Sequence, residues 1–327
     1  GGGIYLKNSS PLIRNCTIED CKTGTGGGIY LESSTAVITN CVLQNNEGTT
    51  FGGGIHCATG AAPSIIACTI EENSSGLGGG LSCLPGSGPL LDSATVSGNS
   101  ATNGLGGGLY CDSDITISNS AFLGNESSTL GGGLYFGPTV TGAMIYASTI
   151  EENTADLGGG VYVSGGPVKA RTSIIRKNTA DTLGGGVFAE KQLEMQNCRI
   201  LANNAEFSGG GIHVSHTGIL IENCTIAGNN NLNEFTPEGS GIYMSTGTTN
   251  HVITSAIVWD NTSTQQVYAA SGTPLVSYSC VQYGNTSNSN IISNPLLTRY
   301  TYWLCASSPC INSGDPSSGI LSDFSGE

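Results

Sequence analysis

The chain has 327 residues, 50 of them glycine, and 24 acidic against 10 basic side chains, for a formal net charge of −14. An acidic surface without a basic stripe argues against nucleic acid and anionic lipid as partners. No apolar run reaches the roughly 20 residues of a membrane span, and the opening at Gly1, mid-repeat and without Met, reads as a piece of a longer protein.

The first element is Gly1-Gly2-Gly3 followed by Ile4-Tyr5-Leu6. GGG recurs at Gly26, Gly52, Gly78, Gly106, Gly131, Gly158, Gly184 and Gly209, and a GSG variant opens at Gly239, at intervals of 25 to 30 residues. A fixed period of this length means stacked units that contact only their neighbours, so the usual expectation of two domains for this length does not apply. The apolar–aromatic–apolar triplet alternates with period two and predicts a strand with Ile4 and Leu6 on one face and Tyr5 on the other. A second strand, such as Ile115–Ile117 or Ile219–Ile221, precedes a column of small residues: Cys16, Cys41, Cys68, Ala94, Ser120, Ser148, Ser173, Cys198, Cys224, Ala256 and Cys280. A third strand carries an apolar column two residues later, from Ile18 to Val258. Asn follows three residues after that, from Asn46 to Asn285, with Cys21 in its place in the first unit.

Three short strands per unit predict an all-β, parallel β-helix of about eleven coils of 25–28 residues. At the spacing of hydrogen-bonded strands it would be about 50 Å long. The predicted coils span 1–285, and 286–327 reads as an irregular C-terminal cap or the start of a following segment. The Asn column has two physical reasons: Asn tolerates left-handed backbone, and stacked amides bond one another. A partial second Asn column (Asn15, Asn40, Asn119, Asn197, Asn223) marks the bend between the second and third strands. The glycines allow a sharp turn and close coil packing.

GGG-[ILV] followed by F/I-x-x-N, as at Gly131–Leu134 and Phe122–Asn125, resembles the repeat of chlamydial-type polymorphic outer membrane proteins. Their marks are GGAI and FxxN, so the third glycine is a departure. Asn294-Pro295-Leu296-Leu297 and Ser308-Pro309-Cys310-Ile311-Asn312-Ser313-Gly314-Asp315-Pro316 resemble the tail of many secreted bacterial right-handed β-helix proteins. Asp323-Phe324-Ser325-Gly326-Glu327 looks like the opening of their D-x-D-G-x-P-R segment, with Ser325 for the second Asp. The resemblance implies an extracellular or cell-surface location. Such families include adhesins, autotransporter passengers and polysaccharide-active enzymes, so it implies no single function.

The outward column of the first strand is Tyr5, Tyr30, His56, Ser82, Tyr110, Tyr135, Tyr162, Phe188, His213 and Tyr243. With aliphatic flanks facing inward, these rings are placed outside. They form either a cross-strand ring ladder or a platform for a glycan or a surface protein. Arg171, Arg176 and Arg199 fall on two neighbouring coils and make the one basic cluster, a second candidate contact for an acidic glycan. Lyases of this fold use an acidic Ca²⁺ site with an Arg or Lys base, and no Asp triad accompanies these arginines. Asp112-Ser113-Asp114 lacks the spacing of known calcium loops and reads as a loop, so no cofactor is expected, with Ca²⁺ the one alternative. The pairs Glu19-Asp20, Glu71-Glu72 and Glu151-Glu152 read as a solvated face with cross-coil ion pairs, not as a glycosidase pair.

Cysteine alternates with Ala and Ser in the small column, so that slot asks for a small buried side chain. Without C-x-x-C no zinc or other metal site is expected. Cys305 and Cys310, outside the coils, are the disulfide candidates. No catalytic residue is assigned. The expectation is a non-enzymatic extracellular rod: an adhesin, passenger or filament element. The alternative is a carbohydrate-binding or polysaccharide-degrading protein. Uncapped coils also suggest end-to-end self-association.

Overall fold

The computed structural model describes residues 1–215, 218–233, 238–245, 251–299 and 301–317. The parallel β-helix forms. Three sheets of eleven strands run its length, starting at Ile4–Lys7, Leu12–Arg14 and Thr17–Glu19 and ending at Gln265–Ala269, Leu275–Ser277 and Cys280–Val281. Neighbouring coils pair in register: Tyr135 lies beside Tyr162, Ile117 beside Ile145 and Ile150 beside Ile175. A fourth sheet of nine short strands, from Lys22–Thr25 to Asn230–Asn231, was not anticipated. It lies between the Asn column and the glycines, where the sequence has no alternating apolar pattern to show it.

Each coil turns one apolar stripe inward from three sides. Leu81 and Cys83 from the first sheet, Leu91 from the second and Val96 from the third are all fully buried. Repetition joins these stripes into one continuous core from Ile18 to Val281, the arrangement expected of a solenoid whose units cannot bury a face alone.

The corners explain the columns. The residue before the small column adopts left-handed backbone in every coil, with φ of 47–55°, whether it is Asn40, Ala67, Ala147 or Thr172. Asn is the side chain that tolerates this conformation best after Gly, which accounts for the partial Asn column. The small column then closes the corner. Cys41, Cys68, Cys198 and Cys224 direct Sγ to the carbonyl two residues back at 3.2–3.3 Å. Ser120, Ser148 and Ser173 donate Oγ–H to the same carbonyl at 2.7–2.8 Å. The slot therefore favours a small donor, not merely a small residue. In the last coil that donor is Ser279, bonding Ser277 O at 2.7 Å. Cys280, expected in the column, pairs instead with Ile257 one position on.

The Asn column is a buried amide ladder. Asn125 donates its N–H and its Nδ2–H to Asn153 Oδ1, each at 2.9 Å. Asn153 repeats this onto Asn178 at 3.0 and 2.9 Å, and donates Nδ2–H to Phe122 O at 3.0 Å. Cys21 starts the ladder with its N–H on Asn46 Oδ1. Its end differs from expectation: Asn261 bonds Gln266 Oε1, and Asn285 is exposed and caps Ser287. The glycines sit against this ladder. A Cβ on Gly133 would lie 2.7 Å from Gly160 O and 3.0 Å from Asn153 Nδ2, whereas Gly131 is needed for its φ of 65°.

Candidate functional site

The ring column of the first sheet is one stack. Successive rings from Tyr110 through Tyr135, Tyr162, Phe188, His213 and Tyr243 to Tyr268 lie 4.9–5.6 Å apart, with their planes within 26° of parallel. Tyr5, Tyr30 and His56 form a second run at 5.0 and 5.2 Å. Ser82 supplies no ring, and Phe51, from the fourth sheet, bridges that gap to His56 at 5.6 Å and Tyr110 at 6.2 Å.

The rings point away from the core, as expected, and form the ring ladder, one of the two arrangements the sequence left open; most of the column is covered and not open to solvent. Tyr135, Tyr162 and Phe188 are 4–7% exposed, and His56 and His213 are 2% and 4%. Leu105, Leu130, Leu157 and Leu183 pack against Tyr135, Tyr162 and Phe188 and with Tyr110 make a second apolar layer outside the coil. Ring faces stacked on one another in a column cannot also stack on a sugar. Tyr30, Tyr110 and Tyr243 are half-buried, and Tyr5 alone of the column is open. The cover was visible in the sequence as an apolar residue directly before the glycines (Phe51, Leu77, Leu105, Leu130, Leu157, Leu183), a column not read as such.

Burial sets the electrostatics of this spine. It lowers the pKa of His56 and of His213 to about 4, so both imidazoles are neutral near pH 7. His56 Nδ1 lies 2.7 Å from Ser82 Oγ, and His213 Nδ1 lies 3.0 Å from Ser208 Oγ. Burial first, then the Asp112 charge, pushes Tyr110 up to about 12. Burial and a hydrogen bond to Glu190 raise Tyr162. These hydroxyls and imidazoles are held in their neutral forms inside a stack.

The basic cluster divides. Arg171 is exposed at the end of a second-sheet strand, Val168–Arg171. Arg176 and Arg199 lie on the outer face of the third sheet, where Ile174 pairs with Arg199 and Glu151 with Arg176. Arg176 donates to Glu151 at 2.7 Å, and Lys177 bridges Glu151 at 2.9 Å and Glu152 at 3.0 Å. Burial pushes the Glu151 carboxyl up, but the hydrogen bonds from Lys177 and Arg176 outweigh it and leave it below its ordinary value.

The C-terminal segment runs back along this face. Tyr302 reaches Gly228, and the Trp303 ring lies 4.4 Å from the Arg199 guanidinium. Arg199, Arg176, Lys177, Tyr302 and Trp303 then line a cleft of about 130 Å³. Burial and the neighbouring Arg176 charge lower the pKa of Arg199. Nothing in the spacing of Tyr302 and Trp303 links them to coils three turns earlier, so the sequence could not place them here.

The other acidic candidates are committed between coils. Asp112 Oδ1 accepts the Thr139 N–H and Oγ1–H, each at 2.8 Å. Asp114 Oδ1 accepts the Thr141 and Gly142 N–H groups, each at 2.7 Å, and Oδ2 accepts Thr141 Oγ1–H at 2.8 Å. Glu72 and Glu152 sit at left-handed corners, φ 55° and 58°, just before the Asn ladder. Among the described residues, no group of three or more His, Cys, Asp and Glu side chains converges as a metal site would. Cys305 and Cys310 are both free thiols. Asp323–Glu327 and residues 234–237 of the longest insertion lie outside the described residues.

No curated protein matches the chain. Among solved structures, that of QnrB1, a plasmid-mediated fluoroquinolone resistance protein, matches at 11% identity over 82% of this chain and 91% of that one, with a TM-score of 0.21. Residues 2–167 match the family model described as right handed beta helix region. That span is just over half of the 327 residues and reaches from within the first glycine mark to past the seventh, at Gly158. With the register of the three long sheets, it establishes that this chain belongs to the right-handed β-helix family.

Proposed function

We propose that this rod-like repeat protein is a non-enzymatic element displayed outside the cell, acting through its length, rigidity and outer faces. One observation carries the reading: among the described residues, the asparagines, stacked imidazoles and Glu151 are already engaged with neighbouring side chains. The asparagines form a ladder, both imidazoles are neutral within the ring stack, and Glu151 is held by Arg176 and Lys177. The resemblance to surface-displayed repeats supports the location. The test is to incubate the purified chain with a broad polysaccharide panel and follow new reducing ends and unsaturated products. None is expected. Product formation that is lost on Arg176→Ala would refute the reading. Surface labelling of intact source cells tests the location, with a labelled chain expected.

A second reading is favoured by one feature. The Arg176–Arg199–Trp303 cleft combines cations with aromatic edges, the chemistry that holds an acidic sugar. Binding of acidic but not neutral polysaccharides, weakened by Trp303→Ala, would support it. Equal binding by the wild type and this variant would dismiss it.

A further inference from the structure

The fourth sheet carries one exposed bulge. In the strand Ser100–Leu105 the register passes from Ala101 opposite Ser75 to Leu105 opposite Leu77, so Thr102, Asn103 and Gly104 together face Gly76 alone. The bulge is pinned on both sides of Asn103. Thr102 Oγ1–H donates to Ser75 O at 3.1 Å, and Gly104 O accepts the Leu130 N–H at 2.7 Å. Asn103 itself is exposed, and among the described residues no hydrogen bond holds its side chain. Its amide lies over Gly76, with Nδ2 2.8 Å from where a Cβ on that glycine would stand. Gly104 fits here because it has no side chain: its φ is 98°, and a Cβ would lie 2.3 Å from Thr129 Oγ1.

Asn103-Gly104 is the one Asn-Gly in the sequence. The neighbouring asparagines are guarded. Asn99 is fully buried, and its Nδ2 donates to Ile70 O and Asn125 Oδ1, each at 2.9 Å. The N–H that follows it, on Ser100, is committed to Asn73 O at 2.9 Å, and the N–H after Asn125, on Glu126, to Asn99 O at 2.9 Å. Even Asn119, which is exposed, gives its Nδ2–H to Asp92, and the next N–H, on Ser120, goes to Ser148 Oγ at 3.1 Å. At these positions a reaction between the side-chain amide and the following nitrogen needs both sets of bonds to break. At Asn103 the amide is already loose and the next residue offers no steric screen.

We infer that Asn103 is a site of spontaneous deamidation in the folded chain. The Gly104 amide nitrogen gives its proton to solvent and attacks Asn103 Cγ. The bond from that nitrogen to Cγ forms, the Cγ–Nδ2 bond breaks, and Nδ2 leaves as ammonia with a proton from solvent. Water then opens the cyclic imide at one of its two carbonyls, giving aspartate or isoaspartate at position 103. The sum is one asparagine and one water going to one acidic residue and one ammonia, with no oxidant or reductant. The bulge can hold either product. Residues 102–104 stand outside the paired register, so the pairs of Ala101 with Ser127 and of Leu105 with Leu130 survive the extra charge and, in isoaspartate, the extra backbone atom.

One peptide makes the comparison. Cleavage after Glu72 and Glu126 releases 73–126, which carries Asn73, Asn99, Asn103, Asn119 and Asn125. The native chain is held at mildly alkaline pH, with a parallel sample in concentrated urea. Both are then cut with a glutamate-specific protease and read by tandem mass spectrometry. In the folded chain the amide-to-acid mass gain should build up at Asn103 at least about 100-fold faster than at Asn99 and Asn125, which react only when their coil opens locally. In urea that gap should narrow, because the ladder is gone. Asn103→Gln, whose longer side chain closes the ring poorly, should keep the fold and lose the fast signal, together with the matching release of ammonia. Asn103 that stays intact in the folded chain but converts in urea would show that the bulge protects it and would overturn the inference. Conversion of Asn119 or a ladder asparagine ahead of Asn103 would overturn it too.

Discussion

Replacing Asn153 by Ala tests whether the amide ladder holds the coils together. Asn153 is fully buried at mid-rod. Its Oδ1 accepts two hydrogen bonds from Asn125, and its Nδ2 donates to Phe122 O and Asn178 Oδ1. Alanine removes all four. It leaves the Asn125 N–H and one Nδ2–H without acceptors, while Asn178 Oδ1 keeps the backbone N–H of residue 153. An orphaned buried donor costs about 1–3 kcal/mol, so the two together cost about 2–6 kcal/mol. A thermal midpoint followed by far-UV circular dichroism should fall by about 3–9 °C.

The control is Asn119→Ala, in the outer Asn column. Asn119 is exposed, with one bond to Asp92 at 2.9 Å, and should cost about 1 kcal/mol or less. Asn153→Asp sharpens the test, because its second oxygen would face the oxygens of Phe122 and Asn178. Burial and those acceptors raise the folded-state pKa of the new carboxyl. Its deficit should therefore shrink as pH falls through that raised pKa towards the ordinary carboxylate value. If Asn153→Ala costs no more than Asn119→Ala, the ladder reasoning is wrong.

Three further outcomes follow from the same geometry. The buried imidazoles make stability fall with acid. The unfolded chain takes up protons near pH 6.5 while folded His56 and His213 wait until about 4, so stability is full above pH 6.5 and is lost as pH drops towards 4. Between pH 7 and 5 each should cost about 2 kcal/mol in a urea titration, and His213→Phe should remove its share. At the exposed corner Ala67, φ 50°, Ala67→Asn should stabilise by about 0.5–1 kcal/mol, read as a raised thermal midpoint. Gly132→Ala places Cβ 2.4 Å from Thr154 O and 2.5 Å from Gly159 O, both backbone, and should cost more than about 3 kcal/mol. Gly124→Ala meets only the strain of φ 57° and should cost about 1–2 kcal/mol; equal losses would refute the stacking argument for the glycines.

The sequence alone determined the coil. Period, strand alternation, the Asn ladder and the Gly corners were all legible because a solenoid repeats each contact at a fixed interval, so a spatial neighbour is also a column neighbour. The corner before Cys41, Cys68 and Cys198 could be placed from Asn40 and Asn197 even where Ala67 stands in that slot. Other features were decided only by the tertiary structure, and each depends on contacts outside the column register. The rings of Tyr135, Tyr162 and Phe188 are buried because the apolar column before the glycines (Leu105, Leu130, Leu157, Leu183) packs against them, a relation between two columns and not within one. The ladder ends on Gln266, not Asn285, because the period decays after Asn261. Arg199 meets Trp303, and Ser255 meets Asp315, because the tail folds back across the third sheet. No repeat records where a single non-repeating segment comes to rest, since that is set by the surface it finds and not by its distance along the chain.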